Sequence, residues 1–167
     1  YNESIALGTA LTAMSMIVAN RFILDVGRSK KSSGNLFTLI LAPTGHGKDS
    51  SIDTVQSLLM DFNFVTGLEK SGTSLAFDLS SNRERLYVID EISQLFNNMK
   101  SGRNTSYMEL CELLCQVFSS NQKTMLLPKT MQSRRDKSSE FVNNPYVSIL
   151  GATTGSGLTD SVNKLLI

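Results

Sequence analysis

Cysteine and histidine are scarce in this chain: two cysteines, Cys111 and Cys115, and a single histidine, His46. No C-x-x-C pair and no second Cys/His cluster is present to ligate zinc, and two thiols in one apolar helical pattern make no disulfide framework. Their expected state is buried and reduced, as in a cytoplasmic protein. An excess of charge of one sign is missing too. Sixteen Lys and Arg face fifteen Asp and Glu, for a net charge of +1, so no global basic field draws nucleic acid and any such contact has to be local. No apolar run reads as a membrane span. The richest one, residues 5–22, is broken by Gly8, Thr9, Thr12 and Ser15, and no basic region precedes it as in a signal peptide. Internal repeats, low-complexity tracts and long linkers are also absent. What remains is an ordinary globular composition, 41% hydrophobic and 19% charged over 167 residues, enough for one domain with a proper core. The sequence opens on Tyr1 rather than Met and reads as a piece of a longer chain.

The stretch that organises the rest is Leu39–Ser51, Leu-Ile-Leu-Ala-Pro-Thr-Gly-His-Gly-Lys-Asp-Ser-Ser. The apolar run Leu36–Leu41 predicts a buried strand, and residues 50–61 predict a helix with Ile52, Val55, Leu58 and Leu59 on one face. Strand, glycine loop, lysine and helix in this order make a phosphate-binding loop. Glycines let successive backbone N–H groups converge on an anion, and the helix N-terminus adds partial positive charge. The loop residues are Pro43, Thr44, Gly45, His46 and Gly47, with Lys48 reaching the β/γ-phosphates as a point charge and Asp49 and Ser50 following it. Two positions depart from G-x-x-x-x-G-K-[ST]. Ala42 replaces the first glycine, a mild change, and Asp49 replaces the hydroxyl residue that holds the metal.

Downstream, Leu86–Ile89 is a continuous apolar run ending in Asp90 and Glu91. Such a run fits the buried middle of a parallel sheet, where ligands sit at the carboxyl ends of strands. Asp90 and Glu91 are therefore expected at the same sheet edge as the loop, with Asp90 a candidate Mg²⁺ ligand. Glu91 is the candidate for orienting or deprotonating a water that attacks a phosphoanhydride. A third apolar run, Val147–Thr154, ends in Thr153 and Thr154, candidates for contacting the terminal phosphate or the attacking water. Between these lie a short strand within 62–66, helices over 73–81, 92–99 and 107–118, and a last helix starting near Leu158. The helix over 107–118 is expected to bury Met108, Cys111, Leu114, Cys115 and Phe118. Two basic segments remain: Arg28, Lys30 and Lys31 in a turn-rich loop, and Lys129, Arg134, Arg135 and Lys137 on a hairpin or extended tip flanked by 124–130 and 140–142.

Ala-Pro-Thr-Gly-His-Gly-Lys, Arg-Leu-Tyr-Val-Ile-Asp-Glu and Asn-Pro-Tyr-Val-Ser-Ile-Leu-Gly-Ala-Thr-Thr, in that order, resemble the RecA-like ATPase module of phage and plasmid replicative helicases and primase–helicases. The resemblance spans roughly residues 5–160. It implies an α/β three-layer sandwich with a mainly parallel sheet, in the additional-strand class of phosphate-loop NTPases (RecA/AAA-like). In that class the third-motif strand lies between the loop strand and the Asp-Glu strand. One ATPase domain then covers 1–167, with a leading helix and basic loop in 1–35 and the core in 36–167. The resemblance further implies ATP and Mg²⁺, single-stranded DNA as partner, a homo-oligomeric and usually hexameric ring, no membrane, and a cytoplasmic location. Asp90 is the metal candidate it implies; Asp49, which departs from the family's hydroxyl residue, either coordinates the metal directly or turns away while Ser50 and Ser51 compensate. Such modules continue beyond the third motif with another strand and the elements bearing trans-acting arginines. Within this sequence Arg134 and Arg135 are the candidates for that role, and the same tip is open to two further readings, a DNA-lined channel or a solvated loop. A DNA-packaging or translocating ATPase shares the same logic, and a degenerate fold kept for assembly is the non-enzymatic alternative.

Overall fold

The computed structural model describes residues 2–25, 27, 31–100, 105–119, 124–126 and 141–165. The basic residues Arg28, Lys30, Lys129, Arg134, Arg135 and Lys137 lie outside them.

The chain begins with α1 (Glu3–Ile17), whose N-terminus is capped by the Asn2 side chain accepting from Ser4 N at 3.0 Å. A short antiparallel pair follows, β1 (Leu24–Asp25) with β2 (Lys31–Ser32). Next come β3 (Phe37–Leu41), α2 (Lys48–Leu59) and a 3₁₀ turn at Met60–Phe62. They are followed by β4 (Val65–Thr66), α3 (Gly72–Ser81) and β5 (Glu84–Ile89). Then follow α4 (Ser93–Lys100), α5 (Thr105–Ser119), the antiparallel pair β6 (Met125–Leu126) and β7 (Phe141–Val142), β8 (Tyr146–Thr153) and α6 (Gly155–Leu165). The expected flanks of the second basic tip thus pair with each other.

The main sheet has the order β3-β8-β5-β4, and every neighbouring pair is parallel. The third-motif strand therefore sits between the loop strand and the Asp-Glu strand, as expected. β8 is buried along its whole length, which is what a central strand covered on both faces requires. Period-two alternation sorts its side chains. Tyr146, Leu150 and Ala152 join the core under α1 and α2, whereas Val147 and Ile149 join the core under α3 and α5. The molecule is α/β, with a four-stranded parallel sheet and helices on both faces.

Three expectations are corrected. β3 is an edge strand: only Ile40 is buried, while Phe37, Leu39 and Leu41 are exposed on the other face, where Phe118 reaches Phe37 with ring centroids 4.6 Å apart. In α2, Leu58 is 65% exposed, so the buried face is Ile52, Val55 and Leu59. In α5 the buried residues are Leu110, Leu113, Leu114 and Val117, leaving Met108 and Phe118 exposed. Cys111 is consequently half-buried and Cys115 exposed, not the pair of buried thiols expected.

The apolar run 5–22 is helical only as far as Ile17, and α1 is buried on one mixed face and exposed on the other. Its buried positions include Thr9, Thr12 and Ser15, while Leu7, Leu11, Met14 and Ile17 face outward. Ile5, Ala13 and Met16 pack into the core beside the hydroxyls of Thr12 and Ser15, which bond to the sheet. Thr12 Oγ1 lies 2.6 Å from Thr38 Oγ1 and Ser15 Oγ lies 2.8 Å from Ser148 Oγ. Ser148 Oγ in turn accepts from Leu36 N at 3.0 Å, and Tyr146 donates its hydroxyl to Ser15 O at 2.8 Å. On the opposite face Arg85 and Asp78 form a largely buried bidentate pair, extended by the Tyr87 hydroxyl at 2.8 Å and by Asn63 O at 2.7 Å. This network ties α3 to β5, and burial together with the Asp78 bond pushes the Tyr87 hydroxyl well above its ordinary pKa.

Candidate functional site

The loop between β3 and α2 turns on two left-handed glycines, Gly45 at φ +80° and Gly47 at φ +85°, a backbone region closed to most side chains. Pro43, Thr44, Gly45, His46 and Gly47 are all exposed, and the loop is closed by His46 N donating to Pro43 O at 3.3 Å. Gly47 is the N-cap of α2 and supplies no side-chain cap. The first-turn N–H groups of a twelve-residue helix are thus left facing the loop without a capping oxygen, the condition under which a helix end accepts an anion.

Lys48 opens α2 and is buried to 8% exposure. Its Nζ lies 3.6 Å from Oδ1 of Asp49, whose own side chain is 73% exposed. Ser50 and Ser51 donate their hydroxyls back to Gly47 O at 2.9 and 3.1 Å, holding the loop's exit in place. Ser51 is the buried one of the two.

The second half of the site comes from β5 and β8. The chain leaves β5 at Asp90, which is exposed, and turns sharply at Glu91, whose φ is +59°. Ile92 N donates to Ala152 O at 2.8 Å and Ala42 N to Thr153 O at 3.2 Å. These bonds stitch the ends of β3, β8 and β5 into one edge. Gly151 permits the turn to pack, because a Cβ there would stand 2.5 Å from Ile92 Cδ1. Oε1 of Glu91 accepts from both Ser93 Oγ and Thr153 Oγ1. Those two bonds, with a smaller contribution from the positive charge of Lys48, hold the Glu91 carboxyl below its ordinary pKa against the opposing effect of burial. Glu91 is therefore a fixed carboxylate in the electrostatic field of the loop lysine. Thr154 makes a different contact, accepting from Gly157 N at 3.1 Å at the start of α6.

The sheet thus brings Lys48, Asp90, Glu91 and Thr153 to one edge. Ser93 was missed from the sequence, since a hydroxyl two residues past an Asp-Glu pair carries no motif signal. So was the first turn of α1. Asn2–Ile5 and the loop Gly45–Gly47, with Ser50 and Ser51, line an open cleft of about 760 Å³.

The loop's uncapped helix end and buried Lys48 suit a polyphosphate. No group of three or more His, Cys, Asp or Glu side chains clusters among the described residues. Mg²⁺ commonly uses only one or two carboxylates and completes its shell with water and substrate phosphates, so Asp90 alone fits that role. Asp49 is turned toward Lys48 and solvent. No helix among the described residues is long and apolar enough to cross a membrane. Compared with known proteins, the chain matches no family model, no curated protein and no solved structure.

Proposed function

We propose that this chain is an ATP-binding and hydrolysing motor domain that acts on single-stranded DNA, of the phosphate-loop type found in replicative helicases. The observation that supports it is one juxtaposition: a glycine loop with a buried lysine at the end of β3, and an Asp-Glu pair at the end of β5. Both flank a central strand whose Thr153 holds the glutamate. Phosphoryl transfer asks a protein mainly for positioning and charge neutralisation. Lys48 and the loop N–H groups would hold the β/γ-phosphates. Asp90 would hold Mg²⁺, which supplies charge neutralisation at the phosphates when bound. Glu91, kept ionised, would accept a hydrogen bond from a water and orient it, with Thr153 fixing the carboxylate's position. A kinase of small nucleotides has no need of a second, water-facing carboxylate. The ring of subunits and the DNA partner rest on the resemblance of the three motifs.

The test is ATP turnover with and without nucleic acid. Expected is turnover stimulated by single-stranded DNA and reduced about 100-fold or more in Glu91→Gln, the range of general acid–base contributions. Stimulation by duplex alone would favour a packaging-type translocase, and unchanged turnover in Glu91→Gln would remove Glu91 from the mechanism.

A second reading, a nucleotide-binding module with weak hydrolysis, is favoured by the 3.6 Å approach of Asp49 to Lys48. A carboxylate there competes with phosphate for the lysine and repels the phosphate. On this reading Asp49→Thr raises ATP turnover, whereas a fall in turnover would make Asp49 a working metal ligand.

A further inference from the structure

Glycine weakens a helix relative to alanine, yet the first turn of α6 holds two, Gly155 and Gly157. Neither has a positive φ, so neither serves a turn that other residues cannot make. They differ in what surrounds them. A Cβ at Gly155 would meet nothing within 4 Å. At Gly157 it would stand 3.0 Å from Thr154 Oγ1, 3.1 Å from Thr153 Oγ1 and 3.3 Å from Glu91 Oε1, each tighter than ordinary van der Waals contact. Gly157 therefore marks a close approach of α6 to the end of β8 and to the carboxylate that follows β5. The approach is held from both sides. Gly157 N donates to Thr154 Oγ1 at 3.1 Å and Leu158 N to Thr154 O at 3.0 Å. Beyond them α6 packs against α4, whose first residue, Ser93, donates to the same Glu91 oxygen as Thr153 does.

We propose that Gly157 is a positioning residue for Glu91: with no side chain of its own, it lets the start of α6 close a seat for the carboxylate whose other two sides are Ser93 and Thr153. Three separate elements, α4, β8 and α6, then meet around Oε1. With Oε1 taken by two hydroxyls, Oε2 is the oxygen the seat aims at a water. The effect on turnover rests on the hydrolytic reading above, and the close approach rests on geometry alone. A methyl group at 157 moves Thr153 and Glu91 by a few tenths of an ångström and spoils that aim, without touching the loop that holds the phosphates.

Urea unfolding tests the approach, and ATP turnover tests its role. Alanine favours a helix at both positions. Gly155→Ala should therefore raise the unfolding midpoint, whereas Gly157→Ala should lower it. Thr153→Ala removes one of the crowding oxygens and should shrink that loss. A loss of equal size with and without Thr153, or a midpoint raised by Gly157→Ala as far as by Gly155→Ala, would overturn the close approach. These measurements need no nucleotide. With MgATP, Gly157→Ala should bind at native affinity in calorimetry and turn over about tenfold more slowly, short of the roughly 100-fold of a full-ångström misplacement. Gly155→Ala should turn over as the native protein does. Added to Glu91→Gln, Gly157→Ala should cost nothing further, because two residues acting through one carboxylate are not additive. Native turnover in Gly157→Ala, the same fold loss in the Glu91→Gln background, or lost ATP affinity would overturn the positioning role while leaving the hydrolytic reading intact. A native protein without turnover would overturn that reading and the positioning role with it, and the urea comparison would still decide the close approach.

Discussion

Glu91 is constrained twice. Its backbone sits at φ +59°, a conformation that costs a non-glycine residue of order 1–3 kcal/mol and persists only where surroundings enforce it. Its Oε1 is held by Ser93 and Thr153. Because those donors stabilise the charged form, folding lowers the Glu91 pKa from its ordinary 4.5. The resulting stabilisation is present above that unfolded value and is lost as pH falls through the lower folded one. Thr153→Val and Ser93→Ala should each raise the Glu91 pKa, read by carboxyl NMR titration, and should narrow the acid range over which the protein stays folded. An unmoved Glu91 titration in both variants would mean that the two hydroxyls do not set its charge. At this scale much of the site was legible. Asp90, Glu91 and Thr153 close apolar runs, Lys48 follows the glycine loop at the end of another, and runs of that kind end at the ligand edge of a parallel sheet. The left-handed turn at Glu91 and the bond from Ser93 were not, since neither follows from periodicity or composition. Arg134 and Arg135 stay a sequence-level expectation.

Helices are where the sequence misled. The face of α5 was assigned to Met108, Cys111, Leu114, Cys115 and Phe118, and of these only Leu114 is buried, with Cys111 half-buried. In α1 the inner face is mixed, and its hydroxyls pair with Thr38 and Ser148, a long-range contact that no local pattern announces. In α5 the inner face is rotated from that expected. Leu110, Leu113 and Val117 point to the core, and the similar hydrophobicity of Met108, Cys115 and Phe118 hid the choice. The consequence for α1 is testable by a pair of substitutions on adjacent residues. Leu11→Glu lies on the outward stripe and should change unfolding free energy by no more than about 0.5 kcal/mol, as surface changes do. Thr12→Val removes a buried hydroxyl from its partner Thr38 and should cost about 1–3 kcal/mol. Urea denaturation compares them. A larger loss for Leu11→Glu than for Thr12→Val would show that the apolar stripe, and not the hydroxyl face, packs against the sheet.

At the scale of the whole molecule, the order β3-β8-β5-β4 is what joins distant motifs into one edge. It places residues about forty positions apart, Lys48 and Glu91, close enough for the lysine's charge to act on the carboxylate. The parallel sheet was legible because three apolar runs of strand length alternate with helical stretches, which calls for parallel strands and crossover helices; the order of the strands was legible only through the resemblance of the three motifs. The position of β3 at the sheet edge, with Phe37, Leu39 and Leu41 exposed on one face, was not. An apolar strand reads the same whether its neighbours cover one face or two. The central claim is that the loop from Pro43 to Ser50 receives the phosphates of ATP, and amide chemical shifts tested during addition of MgATP address it most directly. The account predicts the largest shifts at Gly45, Gly47, Lys48 and Asp49, with a second set at Asp90, Glu91 and Thr153. Shifts confined to other parts of the molecule, or none at saturating MgATP, would contradict it.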